Sequence, residues 1–399
     1  MSSQTFIAGM GIVSAIGNGL LANLQSLSNE KAGIGAMKFL QSVHSGELPV
    51  AEVKFTNKEL AAISELSSKL PRTALLSSIA AYEALLDAGW DKSFSPRTGF
   101  ISANTVGGMD KTENFFNLFS KNSSAGKLAD VVNHECGTVT ELVADHLGIR
   151  HFVSTVSTAC SSSANAIFTG ARMIRAGLLD FALVGGADAL TRFTLNGFNT
   201  LMILDKELCK PFDENRSGLN LGEGAAYLLI VSENGLKQLG KKPYAVISGY
   251  ANANDAFHQT ASSPEGTGSY LAMKQALNNA GLQPGEIDYI NLHGTGTQNN
   301  DIAEGTAIRL LFDPSFPKMS STKAYTGHTL GASGAVEAVY SILAIQQGII
   351  FPNLRLQTPM KEFPFKPVTG FLRNQNIRRV MSNSFGFGGN CTSLIFSAA

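Results

Sequence analysis

The chain has no closely spaced pair of cysteines. Its four, Cys136, Cys160, Cys209 and Cys391, are scattered along 399 residues. That argues against a cysteine-ligated zinc site or a disulfide framework and fits a reducing compartment. Charge of one sign is also missing, because 31 Lys plus Arg balance 31 Asp plus Glu. No global field draws in nucleic acid or an anionic membrane, and neither is expected as a partner. No uninterrupted apolar run approaches the length of a membrane span. The start, M-S-S-Q-T-F-I-A-G-M-G, has no basic n-region and passes straight into a strand-like segment. No secretory signal is therefore expected, and the expected location is the cytoplasm. Charged residues make up only 16% of the chain, against 44% apolar residues and 40 glycines. This composition points to close-packed elements and tight turns in one large or two medium domains.

Short apolar runs alternate with helical ones. Strands are predicted over 5–8, 98–103, 153–156, 181–184, 227–231, 244–250, 289–292, 380–384 and 393–396. Helices are predicted over 74–88, 164–176, 269–280, 303–311 and 335–347. The alternation reads as an α/β chain with strands buried on both faces. A weak twofold repetition is visible in the Gly-flanked strands I-A-G-M-G-I-V-S and V-I-S-G-Y-A-N-A-N. It recurs in two helix starts, A-C-S-S-S-A-N-A and G-H-T-L-G-A-S-G-A-V-E-A. The polar connection at 237–243 then divides the chain into halves 1–240 and 241–399.

Four stretches could carry chemistry. In V-S-T-A-C-S-S-S-A-N-A-I, a strand, a tight turn and a helix place Cys160 at a helix start. There the free N–H groups and the helix dipole are expected to lower the thiol pKa; otherwise the residue is a small buried hydrophobe. N-L-H-G-T-G-T-Q-N-N-D (291–301) sets His293 at a strand end ahead of a Gly/Thr loop, where α/β proteins place their sites. S-S-T-K-A-Y-T-G-H-T-L-G-A-S-G-A-V-E-A (320–338) brings Lys323, His328 and Glu337 onto a small, apolar stretch. A buried Lys–Glu pair steadying His328 is the physical reading. N-S-F-G-F-G-G-N-C (383–391) suits a tight turn whose backbone N–H groups approach a ligand. G-M-G-I-V-S-A-I-G near the start has the wrong spacing for a dinucleotide fingerprint.

Together these motifs resemble the β-ketoacyl-acyl carrier protein synthases, the condensing enzymes of fatty acid and polyketide assembly. G-M-G-I-V-S-A-I-G-N, A-L-L-D-A-G-W-D (84–91), V-G-G-A-D (184–188), K-P-F-D-E-N-R-S-G-L-N-L-G-E-G-A-A (210–226) and D-A-F-H-Q-T-A-S-S-P (255–264) extend the resemblance over nearly the whole chain. It implies a thiolase-like αβαβα sandwich of two similar halves, an acyl carrier protein as partner, a homodimer or alternatively a heterodimer, and neither metal nor cofactor.

By the same resemblance Cys160 would carry the acyl group, with the Cys160 and Phe387 amides as oxyanion hole. His293 and His328 would stabilise the enolate formed by malonyl decarboxylation. Lys323 would organise His328 and Glu337, and Phe387 would gate the thiol. Val106 and Phe198 match the acyl pocket. Thr295, Thr297, Phe385, Gly386, Gly388 and Gly389 belong to the substrate-binding loops. Lys69 and Arg72 are candidate basic contacts for the carrier. The chain departs from the pattern at Asn390-Cys391, where Thr-Asn is usual, at Gln298, where proline is common, and in a shorter segment before Cys160. These departures leave the partners behind the gate and the substrate preference open, including an aryl-polyene or pigment branch. Two other readings also stay open: a thiolase, and a chain-length-setting or assembly subunit of a heterodimer, which commonly lacks the nucleophile.

Overall fold

The computed structural model describes residues 4–90 and 97–399. Asp91, which ends the 84–91 motif, and the first three residues lie outside the described residues. The strands are β1 (Phe6–Ser14), β2 (Gly17–Asn18), β3 (Thr98–Ala103), β4 (Phe152–Val156), β5 (Phe181–Asp188), β6 (Gly224–Val231), β7 (Ala245–Asn254), β8 (Tyr289–Asn291), β9 (Lys318–Ser320), β10 (Arg379–Phe385) and β11 (Asn390–Ser397). The helices are α1 (Leu20–Ser28), α2 (Asn57–Ser64), α3 (Arg72–Ala88), α4 (Met109–Phe119), α5 (Cys136–Leu147), α6 (Ser162–Arg175), α7 (Arg192–Thr200), α8 (Glu233–Leu239), α9 (Thr267–Ala280), α10 (Gln298–Phe312), α11 (Lys323–Thr326) and α12 (Ser333–Gln347).

The strand order is β4-β3-β5-β6-β1-β7-β11-β10-β8-β9, with β2 on β1. Outward from the β1–β7 junction the two sides are alike: β1-β6-β5-β3-β4 and β7-β11-β10-β8-β9. Directions repeat as well, with two antiparallel pairings followed by two parallel ones on each side. The weak repetition in the sequence is therefore architectural. The two sides are joined where Phe6 pairs with Val246 and Ile7 with Ala245.

Five layers follow from helix packing. Helix α3 covers β1, β5 and β6, and α9 covers β7 and β11 on the far side. Between the two sheet halves, α6 packs on β3 and β5, α12 on β6 and β10, and the two helices touch. Small residues set these distances. A Cβ on Gly11 of β1 would lie 2.1 Å from the Ala80 carbonyl of α3, and one on Gly249 of β7 would lie 2.4 Å from the Ala276 carbonyl of α9. In the middle layer a Cβ on Gly334 would lie 2.7 Å from the Ala164 backbone nitrogen. Backbone-to-backbone approach of this kind leaves no room for a side chain.

The strands predicted at 5–8 and 227–231 are parts of longer ones, because β1 and β6 continue through Gly and Ala, which carry little strand propensity. The segment at 153–156 is expected to be a buried strand. Instead β4 ends the sheet, and every one of its residues is only half-buried. Among the described residues no helix is long and apolar enough to cross a membrane.

Candidate active site

Cys160 stands one residue before Ser161, the N-cap of α6. Ala159 ahead of it has φ 52°, a left-handed conformation that costs a residue bearing a Cβ. The bend is braced from both sides: the Thr158 amide donates to Ser162 Oγ (2.8 Å), and Ser161 Oγ donates to the Thr158 carbonyl (2.7 Å). The thiol is 6% exposed. It opens on a cavity of about 480 Å³, also lined by Phe198, His293, Thr295, Thr297, His328, Phe385, Gly386 and Phe387.

The expected lowering of the thiol pKa does not occur in this resting fold. Burial pushes Cys160 up to about 11, while the Lys323 charge and the amides of Phe387 and Cys160 itself pull downward without cancelling it. Desolvation outweighs the helix start because the thiolate would be shut away from water. The two amides reaching the sulfur are nonetheless the pair expected for an oxyanion hole.

His293 follows β8, and its backbone N–H and that of Gly294 donate to the buried Glu304 carboxylate at 2.9 and 2.8 Å. Lys323 Nζ lies 3.3 Å from His293 Nδ1 and pairs with Glu337. An ammonium group can only donate, so His293 Nδ1 accepts and its proton sits on Nε2. This corrects the sequence expectation: the Lys–Glu pair steadies His293 rather than His328. His328 lies beyond the Gly327 turn, and its Nδ1 meets Ser333 Oγ at 2.9 Å instead. Its backbone is clasped by the 220–222 segment, donating to the Asn220 carbonyl (2.8 Å) and accepting from the Gly222 amide (2.9 Å). Asp188, at the end of β5, accepts from the Gly331 amide at 2.7 Å and so ties the His328 loop to the first half.

The two imidazoles stand edge to face, 5.5 Å apart. Burial first, and the Lys323 charge second, hold both well below the ordinary histidine range; for His293 the neighbouring His328 adds to this. Both are therefore neutral near pH 7. Burial pushes the Glu337 carboxyl up to about 7 against the opposing pull of Lys323.

The glycine-rich turn joins β10 to β11 over Cys160. A Cβ on Gly386 would lie 3.1 Å from the Cys160 nitrogen and from the Thr158 carbonyl oxygen, so a side chain there would push the turn outward by a few tenths of an ångström. Phe387 stacks on Phe198 of α7 with ring centres 5.6 Å apart, and Phe385 leans on His293 at 5.8 Å. Gly388 is exposed at φ 76°, and its amide donates to the Gln259 carbonyl at 2.7 Å. Gly388 and Gly389 shape the turn without lining the cavity.

Other expected positions fall elsewhere. Val106 does not line the cavity; it is buried in an apolar cluster with Leu190, Leu195 and Leu219, against which Phe198 packs. Arg72 is no surface contact for a carrier. Its guanidinium is buried against Glu223 at 2.7 Å and also donates to the Val53 and Phe55 carbonyls, whereas Lys69 is exposed. Ser333, Glu304, Asp188 and Asn220 were not singled out as site residues. For Asn220 the signal was the 210–226 motif itself.

Comparison with known proteins bears on the same chain. Residues 3–234 match the family model for the β-ketoacyl synthase N-terminal domain, and residues 244–357 match that for the C-terminal domain. A putative mitochondrial 3-oxoacyl-[acyl-carrier-protein] synthase of Schizosaccharomyces pombe is 33% identical, with 98% of each chain covered. The 3-oxoacyl-[acyl-carrier-protein] synthase 2 of Staphylococcus aureus (strain COL) is 31% identical over 99% of this chain and 98% of its own. Among solved structures, the ishigamide ketosynthase/chain length factor superposes with a TM-score of 0.94 at 27% identity, with both chains fully covered.

Proposed function

The chain belongs to the β-ketoacyl synthase family, with the thiolase-like fold of its structural relatives, and from that premise we propose how its residues perform the condensation of a 3-oxoacyl-[acyl-carrier-protein] synthase in fatty acid or polyketide biosynthesis. The observation that carries the assignment of roles is the single cavity shared by Cys160, His293 and His328, with two amides at the sulfur.

Acyl loading comes first. The Cys160 thiol gives up its proton and the thiolate adds to the carbonyl of an acyl thioester on the carrier protein. The Cys160 and Phe387 N–H groups hold the oxyanion. The carrier's C–S bond then breaks, and its sulfur takes up the proton. Next, a malonyl thioester occupies the cavity beside the two histidines. Its bond to the carboxylate breaks, CO2 leaves, and the enolate oxygen accepts hydrogen bonds from Nε2–H of His293 and His328. The enolate carbon attacks the acyl carbonyl, the new C–C bond forms, and Cys160 departs as thiolate.

Neutral imidazoles suit this work: with Nδ1 of His293 accepting from Lys323, its one ring proton stands on Nε2 ready to donate. Lys323 fixes the His293 tautomer and Glu337 neutralises Lys323. Thr295 and Thr297, with hydroxyls 3.0 Å apart on the cavity wall, bind the carrier-bound substrate. Phe387 is the gate and Phe198 the wall along which the acyl chain runs, with Val106 behind it. The nucleophile belongs to residues 1–240; the second oxyanion donor, the two histidines and the gate belong to 241–399.

A second copy of this chain is the proposed partner in a homodimer. Support comes from β4, the half-buried end strand of the sheet, and from Phe116, Leu118, Phe119, Leu128 and Val132, all exposed apolar side chains. Native mass spectrometry of the purified protein should give the mass of two chains; a monomer would point to a different partner subunit. Intact-mass analysis after incubation with acyl-carrier thioesters tests the main assignment. One acyl adduct, lost in Cys160→Ala, is expected, and no adduct on the wild type would refute it.

A further inference from the structure

The Asn390 side chain sits where nothing in the mechanism above needs it, yet it joins the gate to the turn that holds the nucleophile. Its Oδ1 accepts from Asn165 Nδ2 at 2.9 Å and from Asn252 Nδ2 at 2.7 Å, and lies 2.7 Å from Ser161 Oγ, whose one proton it shares with the Thr158 carbonyl. Ser161 follows Cys160 directly, Asn165 lies one helical turn further along α6, and Asn252 is on β7. The backbone of Asn390 closes the gate turn, its carbonyl accepting from the Gly386 amide at 2.9 Å. One residue therefore ties together the base of the gate, strand β7 of its own half and the N-cap of the nucleophile helix in the opposite half.

We propose that Asn390 is a positioning residue that locks the Phe387 amide against Cys160, setting the spacing of the two oxyanion donors. This inference rests on the functional reading above. Cys160 is carried by α6 and Phe387 by the β10–β11 turn, so the two amides belong to different halves. Within the gate turn, Asn390 is the side chain that bonds to the nucleophile turn. An acceptor held by three partners at that point resists sliding in more than one direction, which a single bond would not.

The same geometry makes the inference testable without unfolding the protein. Each donor keeps another acceptor when Asn390 is truncated: the Thr158 carbonyl for Ser161 (2.7 Å), Thr158 Oγ1 for Asn165 (2.9 Å) and Thr392 Oγ1 for Asn252 (2.8 Å). No donor is left buried and unpaired, so Asn390→Ala should fold.

The experiment compares wild type, Asn390→Ala and Asn390→Asp, which retains the acceptor oxygen. Two rates are read: single-turnover acyl transfer to Cys160 from an acyl-carrier thioester, and alkylation of Cys160 by iodoacetamide, which passes through no oxyanion. Asn390→Ala should transfer about tenfold more slowly, below the loss for deleting a whole oxyanion donor. Its alkylation should be as fast as wild type or faster, and Asn390→Asp should stay within about threefold of wild type in transfer. Wild-type transfer by Asn390→Ala, or transfer and alkylation falling together, would overturn the proposal. Wild-type protein that alkylates but accepts no acyl group would instead overturn the functional reading, and this inference with it.

Discussion

The two halves share a plan and differ in what they place on it. Each ends an inner parallel strand in a loop whose amides are gathered by a buried carboxylate. After β3, the Thr105 and Val106 amides bond to Asp188 at 2.8 and 3.1 Å; after β8, the His293 and Gly294 amides bond to Glu304. Each then starts a middle-layer helix just behind a reactive side chain, Cys160 before α6 and His328 before α12. The first half holds its sulfur by a strained turn, and the second holds its imidazole by Ser333. The repeated scaffold supplies position, and the unlike side chains make one pocket do two reactions.

The sharpest break in that comparison is Cys160→Ala, which should abolish acyl loading altogether, as read by intact mass. His293→Ala and His328→Ala should leave loading nearly intact while slowing CO2 release from malonyl-carrier protein by about 10²–10⁴-fold. Loading lost in equal measure would show that the halves do not divide the work. Lys323→Met leaves Glu337 buried without its partner and should cost about 3–5 kcal/mol of stability by denaturant titration, much of it recovered in Lys323→Met/Glu337→Gln. An unrecovered double variant would count against the pairing.

Gly334→Val puts a side chain between α6 and α12 and should cost about 1–3 kcal/mol, slowing condensation more than loading. The mildest test needs no mutation. Because burial holds the Cys160 thiol up at about 11, the thiol form persists through neutral pH and the reactive thiolate grows as pH rises. Iodoacetamide alkylation should therefore keep accelerating beyond pH 10, whereas levelling off by about pH 10 would mean an unshifted thiol and a plateau near pH 8 a lowered one.

What could be read in advance follows from how local each signal is. Cys160, His293, His328 and the 383–391 turn were legible because each lies in a short run whose own composition sets its backbone. The strand at 98–103 was placed to the residue for the same reason. The surface helix α4 was not: none of its residues is buried, and Phe116, Leu118 and Phe119 are exposed, so no core contact sets it. Which histidine Lys323 would touch was also out of reach, because His293 arrives from β8 and only the parallel β8–β9 pairing sets the two side by side. Asn390 could be read only as a departure from the family pattern. Its three partners come from α6 and β7, far apart in sequence.

Phe198 belongs to α7, and α7 lies in the stretch between β5 and β6. In the other half the equivalent strands, β10 and β11, are joined by the gate turn alone. The wall proposed to face the acyl chain is thus an addition to the common plan, outside the paired loops that hold the sulfur and the imidazoles. Selection for a longer, shorter or more rigid acyl group can reshape that addition while leaving the reacting atoms in register. Within such a family, chain preference is free to diversify faster than the chemistry.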